Sequence, residues 1–147
     1  MRGEEQLSIW LPADWEIAEG FMYDLLALGP PEEPYRANLS IAHVTLDAGP
    51  ASLQDLAQAT ATVQSNALET FLEYDRRSVE LAGREAIQRE YAWVQGATGL
   101  VLYQLEVLAQ GAHPTQLLEV HATSAAPAYF RYAAVLRRMI ESVAHTG

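Results

Sequence analysis

Residues 52–71 read SLQDLAQATATVQSNALETF, and the run from Glu73 to Ser124 that follows is four apolar-rich segments divided by short turns. Together these decide the fold class. Ser52-Leu-Gln-Asp55 fits a capping box, in which polar side chains satisfy the orphan backbone donors of a first helical turn. Leu53, Leu56, Ala57, Thr60, Val63, Ala67, Leu68 and Phe71 fall along one stripe, so a helix is expected over about 52–71. Strands are expected at Glu73–Leu81, Arg84–Val94, Leu100–Gln110 and Gln116–Ser124, where Tyr, Trp, Val and Leu dominate. Ala82-Gly83, Gly96–Gly99 and Gly111–Pro114 are links too short for anything but antiparallel neighbours. A second helix, over about 127–144, opens on Pro127, which lacks only a donor that has no helical partner. Its buried stripe is Tyr129, Tyr132, Leu136, Met139, Ile140 and Val143.

Upstream, Leu7–Leu11 reads as a short strand stopped by Pro12, with a turn at Pro12–Trp15 and a second strand at Phe21–Leu28. Gly29-Pro-Pro-Glu-Glu-Pro34 is a loop, because three prolines fix φ and withhold donors. Ala37–Leu46 alternates as a third strand, with Leu39 and Ile41 on one face. The expected architecture is α+β: one domain over residues 1–147, with an antiparallel sheet of six to seven strands and two main helices. The helices could cover one face or both. The unbroken apolar runs at Leu100–Leu108 and Leu117–Val120 favour both.

Composition removes several chemistries. The chain has no cysteine, so disulfides, thiolate catalysis and cysteine-ligated metal are absent. All nine basic residues are arginine, which excludes a Schiff-base lysine and a phosphate-loop lysine. The formal charge is −10, and residues 1–33 hold eight acids against one arginine. Nucleic acid and anionic membrane are poor partners for such a surface. No basic start and apolar run mark a secretory signal, and no segment is apolar enough to span a bilayer, so a cytoplasmic location without membrane insertion is expected unless a signal or lipoprotein segment precedes Met1.

No motif carries catalysis. The histidines, His43, His113, His121 and His145, form no zinc-binding pair; Glu119 and His121 share a strand face that His43 could approach, a weak metal arrangement set against an ordinary strand histidine. No serine sits in a nucleophile elbow, and Gly96–Gly99 lacks the strand–loop–helix context of a nucleotide loop. Glu4/Glu5 and Glu32/Glu33 fall in stretches that suit solvated charge rather than a catalytic pair. Neither a catalytic residue, a metal site nor a cofactor is expected. The aromatics Trp10, Trp15, Tyr91, Trp93 and Tyr103 lie on or beside strands, with Tyr91 and Trp93 on one face and Tyr103 expected near them. They read as core, or as an apolar surface that accepts a peptide or helix.

The order of segments resembles the DcrB-like, PsbP-like sandwich proteins. Leu11-Pro-Ala-Asp-Trp15 is similar to that family's opening, Asn38–His43 to its next strand, Ser52–Leu56 to its helix entry, Leu81–Ala86 to its hairpin, and Thr123–Val143 to its closing helix. The resemblance implies an α/β/α sandwich without enzymatic activity that serves as a binding scaffold. Its members include photosystem subunits, a Ran-binding import protein and the Eag chaperones of type VI secretion, which cradle apolar effector helices. The chain departs from the Eag pattern at His43, where those sequences carry an arginine.

The leading expectation is therefore a non-enzymatic binding protein, a chaperone or adaptor that cradles an apolar segment of a protein partner. Met22, Leu39, Ile41, Tyr91, Trp93 and Tyr103 are its candidate partner-binding residues. A soluble scaffold binding a folded partner through the acidic N-terminal third is an alternative, and a small-ligand sensor or enzyme is another. A homodimer is compatible with each.

Overall fold

Period-two alternation in the strands and apolar stripes on the helices build a sandwich of one sheet between two helices. The computed structural model describes residues 6–18, 23–46 and 52–146. The strands are β1 (Gln6–Ser8), β2 (Glu16–Ala18), β3 (Leu25–Leu28), β4 (Asn38–Thr45), β5 (Glu69–Leu81), β6 (Arg84–Val94), β7 (Val101–Gln110), β8 (Gln116–Ala125) and β9 (Ala144–Thr146). Helix α1 spans Leu53–Ala67; a 3₁₀ turn over Ala126–Ala128 leads into α2, Tyr129–Glu141.

Seven strands form one antiparallel sheet in the order β2-β3-β4-β8-β7-β6-β5. The hairpins from β5 to β8 follow the short links. At the β5–β6 turn Ala82 and Gly83 take φ of 53° and 79°, the doubly left-handed geometry of a tight two-residue hairpin. β4 then docks on β8, so Leu39 lies opposite Ala122 and Ile41 opposite Val120. β1 does not join the sheet; it pairs with β9 in a separate two-stranded ribbon that ties the two ends of the chain together.

The helices cover opposite faces, the arrangement that the unbroken apolar runs favour. On one face, Leu105 and Val107 of β7, Leu118 and Val120 of β8, and Leu39 and Ile41 of β4 pack against Tyr132, Leu136, Met139 and Ile140 of α2. Trp15, from the Leu11–Trp15 segment, closes this core edge-on against Tyr132, with centroids 6.2 Å apart. On the other face, Ile87, Leu108 and Leu117 meet Leu53 and Ala57 of α1 in a far smaller cluster. Most of that face is polar.

α1 is shorter than its stripe suggested. Ser52 caps it, Oγ accepting from the Asp55 amide at 3.0 Å, but Leu68 turns extended while its N–H still closes on Gln64 O. Pairing of Glu69 with Val94 draws the following residues, Phe71 among them, into β5. Val63, on the expected stripe, is 65% exposed. Tertiary pairing has overridden helical periodicity at this end.

Candidate functional site

The start of α2 gathers the exposed apolar side chains of three elements. In β5, Leu72 pairs with Ala92, and Tyr74 is the extra residue of a bulge between the Glu73–Tyr91 and Asp75–Glu90 pairs. A bulge re-aims its side chain, and Tyr74 reaches over β6 to stack on Tyr103 of β7, at 5.6 Å between centroids and 14° between planes. The small Ala92, opposite Tyr103, leaves room for that contact. Tyr103 in turn meets Tyr129 at 3.7 Å, and Tyr129 meets Phe130 at 6.0 Å. Phe130 is 91% exposed; Leu72, Tyr74 and Val101 are exposed too.

Beneath the rings lies the buried carboxylate of Glu90. Its Oε1 accepts from Tyr129 Oη at 2.7 Å, from Tyr103 Oη at 3.3 Å and from Arg137 Nη2 at 2.8 Å. Burial and donation to Glu90 push the Tyr129 hydroxyl well above its ordinary value, so it stays a donor. Burial raises Tyr103 as well. The rings of Tyr103 and Tyr129 are thus held in place from below, a preorganised base on which Tyr74 and Phe130 lie.

A cavity of about 150 Å³ flanks the same helix start, lined by residues that include Glu32, Glu33, Tyr35, Leu100, Pro127 and Arg131. Phe130 and Arg131 follow Pro127 by one helical turn, which sets the cavity beside the aromatic surface. Arg131 Nη2 donates to Glu32 Oε1, and Tyr132 Oη donates to Glu32 Oε2 at 2.7 Å. The Arg131 hydrogen bond, seconded by Tyr132, holds the Glu32 carboxyl below its ordinary range. Glu33 carries no hydrogen bond or ion pair among the described residues.

The polar face under α1 is organised differently. Arg89, with no exposed surface, donates from Nη1 to Glu106 Oε1 at 2.7 Å, from Nη2 to Glu73 Oε1 at 2.9 Å and from Nη2 to Gln64 Oε1 at 2.8 Å. Tyr91 Oη donates to Glu106 Oε2 at 3.1 Å and accepts from Gln64 and Gln104 at 3.0 and 2.6 Å. His121 Nε2 stands 3.3 Å from Glu106 Oε2 and 3.5 Å from Glu119 Oε1. Burial would raise the Glu106 carboxyl, but His121 and Arg89 together hold it below its ordinary value. Burial raises Glu119. Acid–base work needs a group within reach of a substrate proton; here the buried Arg89 and Glu106 are paired with each other and with Glu73 and His121, and the network ties α1 to four strands, β5 to β8.

No described group of three histidine or acidic side chains can hold a metal ion. His43 cannot join Glu119 and His121: it pairs with Leu118 in register, so it lies on the opposite face, where Nδ1 contacts Asp24 Oδ2 at 2.8 Å.

No family model matches the chain, and no curated protein matches it in sequence. Solved structures do match. LpqN of Mycobacterium tuberculosis, involved in cell envelope biogenesis, superposes with a TM-score of 0.74 at 15% identity, covering 100% of this chain and 87% of LpqN. Cyanobacterial PsbP (CyanoP) from Synechocystis sp. PCC 6803 gives 0.60 at 14% identity, over 99% of this chain and 95% of its own. The Saccharomyces cerevisiae Ran-binding protein Mog1p gives 0.62 at 8% identity, over 93% and 88%. The fold is PsbP-like. At such identities the likeness is one of fold, and function has to be argued from the site.

Within this PsbP-like sandwich the six candidate partner-binding residues do not form one surface. Leu39 and Ile41 are fully buried under α2, so they are core and cannot meet a partner. Tyr91 is buried beneath α1, in contact with Phe71 and the half-buried Trp93. Tyr103 is not near them: the register sets it opposite Ala92 and hence on the other face from Tyr91. Of the five that the structure describes, it alone belongs to the aromatic surface. Met22 lies outside the described residues. Leu72, Tyr74 and Phe130, which are exposed at this surface, are not among the six. Phe130 had a signal, being a large apolar residue off the α2 stripe; Tyr74 had none, because a bulge set its direction.

Proposed function

We propose that this protein is a non-enzymatic binding protein, and that the aromatic surface at the start of α2 receives an apolar segment of a partner protein, as a chaperone or adaptor does. The carrying observation is the run of ring contacts from Tyr74 through Tyr103 and Tyr129 to a fully presented Phe130. Exposed apolar residues scattered singly are ordinary, whereas a contiguous set marks an interaction surface. Aromatic side chains held rigid are also the groups that dominate binding energy. That a yeast protein of this fold is Ran-binding supports a protein as partner. The sequence resemblance to Eag chaperones supports a cytoplasmic role with a secretion effector as client.

The test compares wild type with a Tyr74→Ser/Phe130→Ser double variant in co-purification from the native host, with mass-spectrometric identification. A specific partner held by the wild type and lost from the double variant is expected. A partner set unaffected by both substitutions would overturn the proposal. The acidic-scaffold alternative has less support, because Glu16 is engaged by Arg36 and Glu32 by Arg131 and Tyr132.

A further inference from the structure

We infer that the cavity beside Phe130 takes a single basic side chain, arginine or lysine, of the same partner segment whose apolar residues lie on the aromatic surface. This rests on the binding role proposed above and adds the chemistry of the partner. Volume comes first. Pockets for small organic ligands run to roughly 300–1,000 Å³, and about 150 Å³ suits one side chain.

The walls then choose among side chains. Tyr35, Leu100 and Pro127 offer apolar surface to a long stem. Two carboxylates line the space, and their standings differ. Glu32 has both oxygens engaged, by Arg131 and Tyr132. Glu33 is unpartnered among the described residues, so it is the acceptor left for an incoming cation. An acidic side chain would meet Glu33 with Arg131 already committed to Glu32. The wider field agrees: the chain carries −10 overall, and residues 1–33 hold eight acids against one arginine, which draws basic segments from a distance.

Because the natural partner is unidentified, the probe is a displayed library of random twelve-residue peptides, panned in parallel on wild type, Glu33→Gln and Tyr74→Ser/Phe130→Ser. Glu33 is exposed and unbonded, so its amide variant keeps the fold. Wild type is expected to enrich apolar peptides with arginine or lysine at a fixed spacing. Glu33→Gln is expected to keep the apolar preference and lose the basic one. Replacing that basic residue by glutamine in a selected peptide should weaken binding to wild type about fivefold, and weaken binding to Glu33→Gln less than twofold. An apolar consensus with no basic position, or one whose basic position survives Glu33→Gln, overturns the cavity assignment and leaves the aromatic surface standing. No enrichment on wild type, or enrichment indifferent to the double substitution, overturns both.

Discussion

Tyr129 and Glu90 are joined by a 2.7 Å hydrogen bond that crosses from the first residue of α2 to the middle of β6. The same carboxylate oxygen accepts from Tyr103 and Arg137, so one buried group fixes β7, α2 and two rings of the aromatic surface. The order of these rings therefore rests on a carboxylate buried beneath them.

Glu90→Gln removes the charge that Arg137 and the two hydroxyls share. Arg137 is partly exposed, which tempers the loss. A destabilisation of about 1–3 kcal/mol is expected, read by urea unfolding. A weakened near-ultraviolet tyrosine signal should accompany it, since the rings lose their common anchor. An unchanged spectrum would separate ring order from Glu90.

Arg89→Met leaves Glu73 and Glu106 without their shared cation in a buried site. Breaking one side of such an arrangement costs about 3–5 kcal/mol. Adding Glu106→Gln to the same chain should recover part of that loss, because the orphaned charge is then gone. A double variant no more stable than the single one would show that Arg89 acts through packing alone.

The carboxylates predict opposite pH responses. Glu106 and Glu73 titrate below the ordinary value of 4.5 in the folded protein, Glu106 because His121 and Arg89 outweigh its burial, and Glu73 because Arg76 and Arg89 outweigh its own. Their contribution is complete above the unfolded value and is lost as pH falls through the folded one. Glu119 titrates above 4.5 because of its burial and the nearby Glu106 charge, so its contribution is complete below the unfolded value and is lost as pH rises through the folded one. Glu119→Gln should therefore stabilise the protein at pH 7 and give no gain at about pH 3. Glu106→Gln should flatten the acid limb. Urea midpoints measured across that range decide both.

Phe130→Ser should leave folding stability within about 0.5 kcal/mol of wild type, because the ring is almost wholly solvated. Binding of a peptide selected on the wild-type surface should fall about tenfold or more, as for an exposed aromatic anchor. Equal affinity by fluorescence anisotropy would remove Phe130 from the site.

Local chemistry made much of the fold legible. β6 runs over Arg84–Val94 as its apolar pattern and the Ala82-Gly83 turn dictate, and Ser52 caps α1 where its hydroxyl can reach an orphan amide. The candidate site was far less legible. Tyr103 was grouped with Tyr91 and Trp93 but lies on the other face of the sheet, since period two says that neighbouring residues face opposite ways and does not say which strand's face they join.

The sequence alone determined the two main helices and the four strands from β5 to β8, and it favoured a sheet covered on both sides, because period, capping and turn residues are properties of neighbouring positions; the short strands β2 and β9 were not legible in it. Tertiary structure decided the rest. It set β4 against β8, closed β1 on β9, ended α1 at Ala67 in favour of β5, and swung Tyr74 through a bulge onto Tyr103. Each of these depends on register between residues far apart in the chain, and register follows from which burial and hydrogen bonding the whole sheet can satisfy at once.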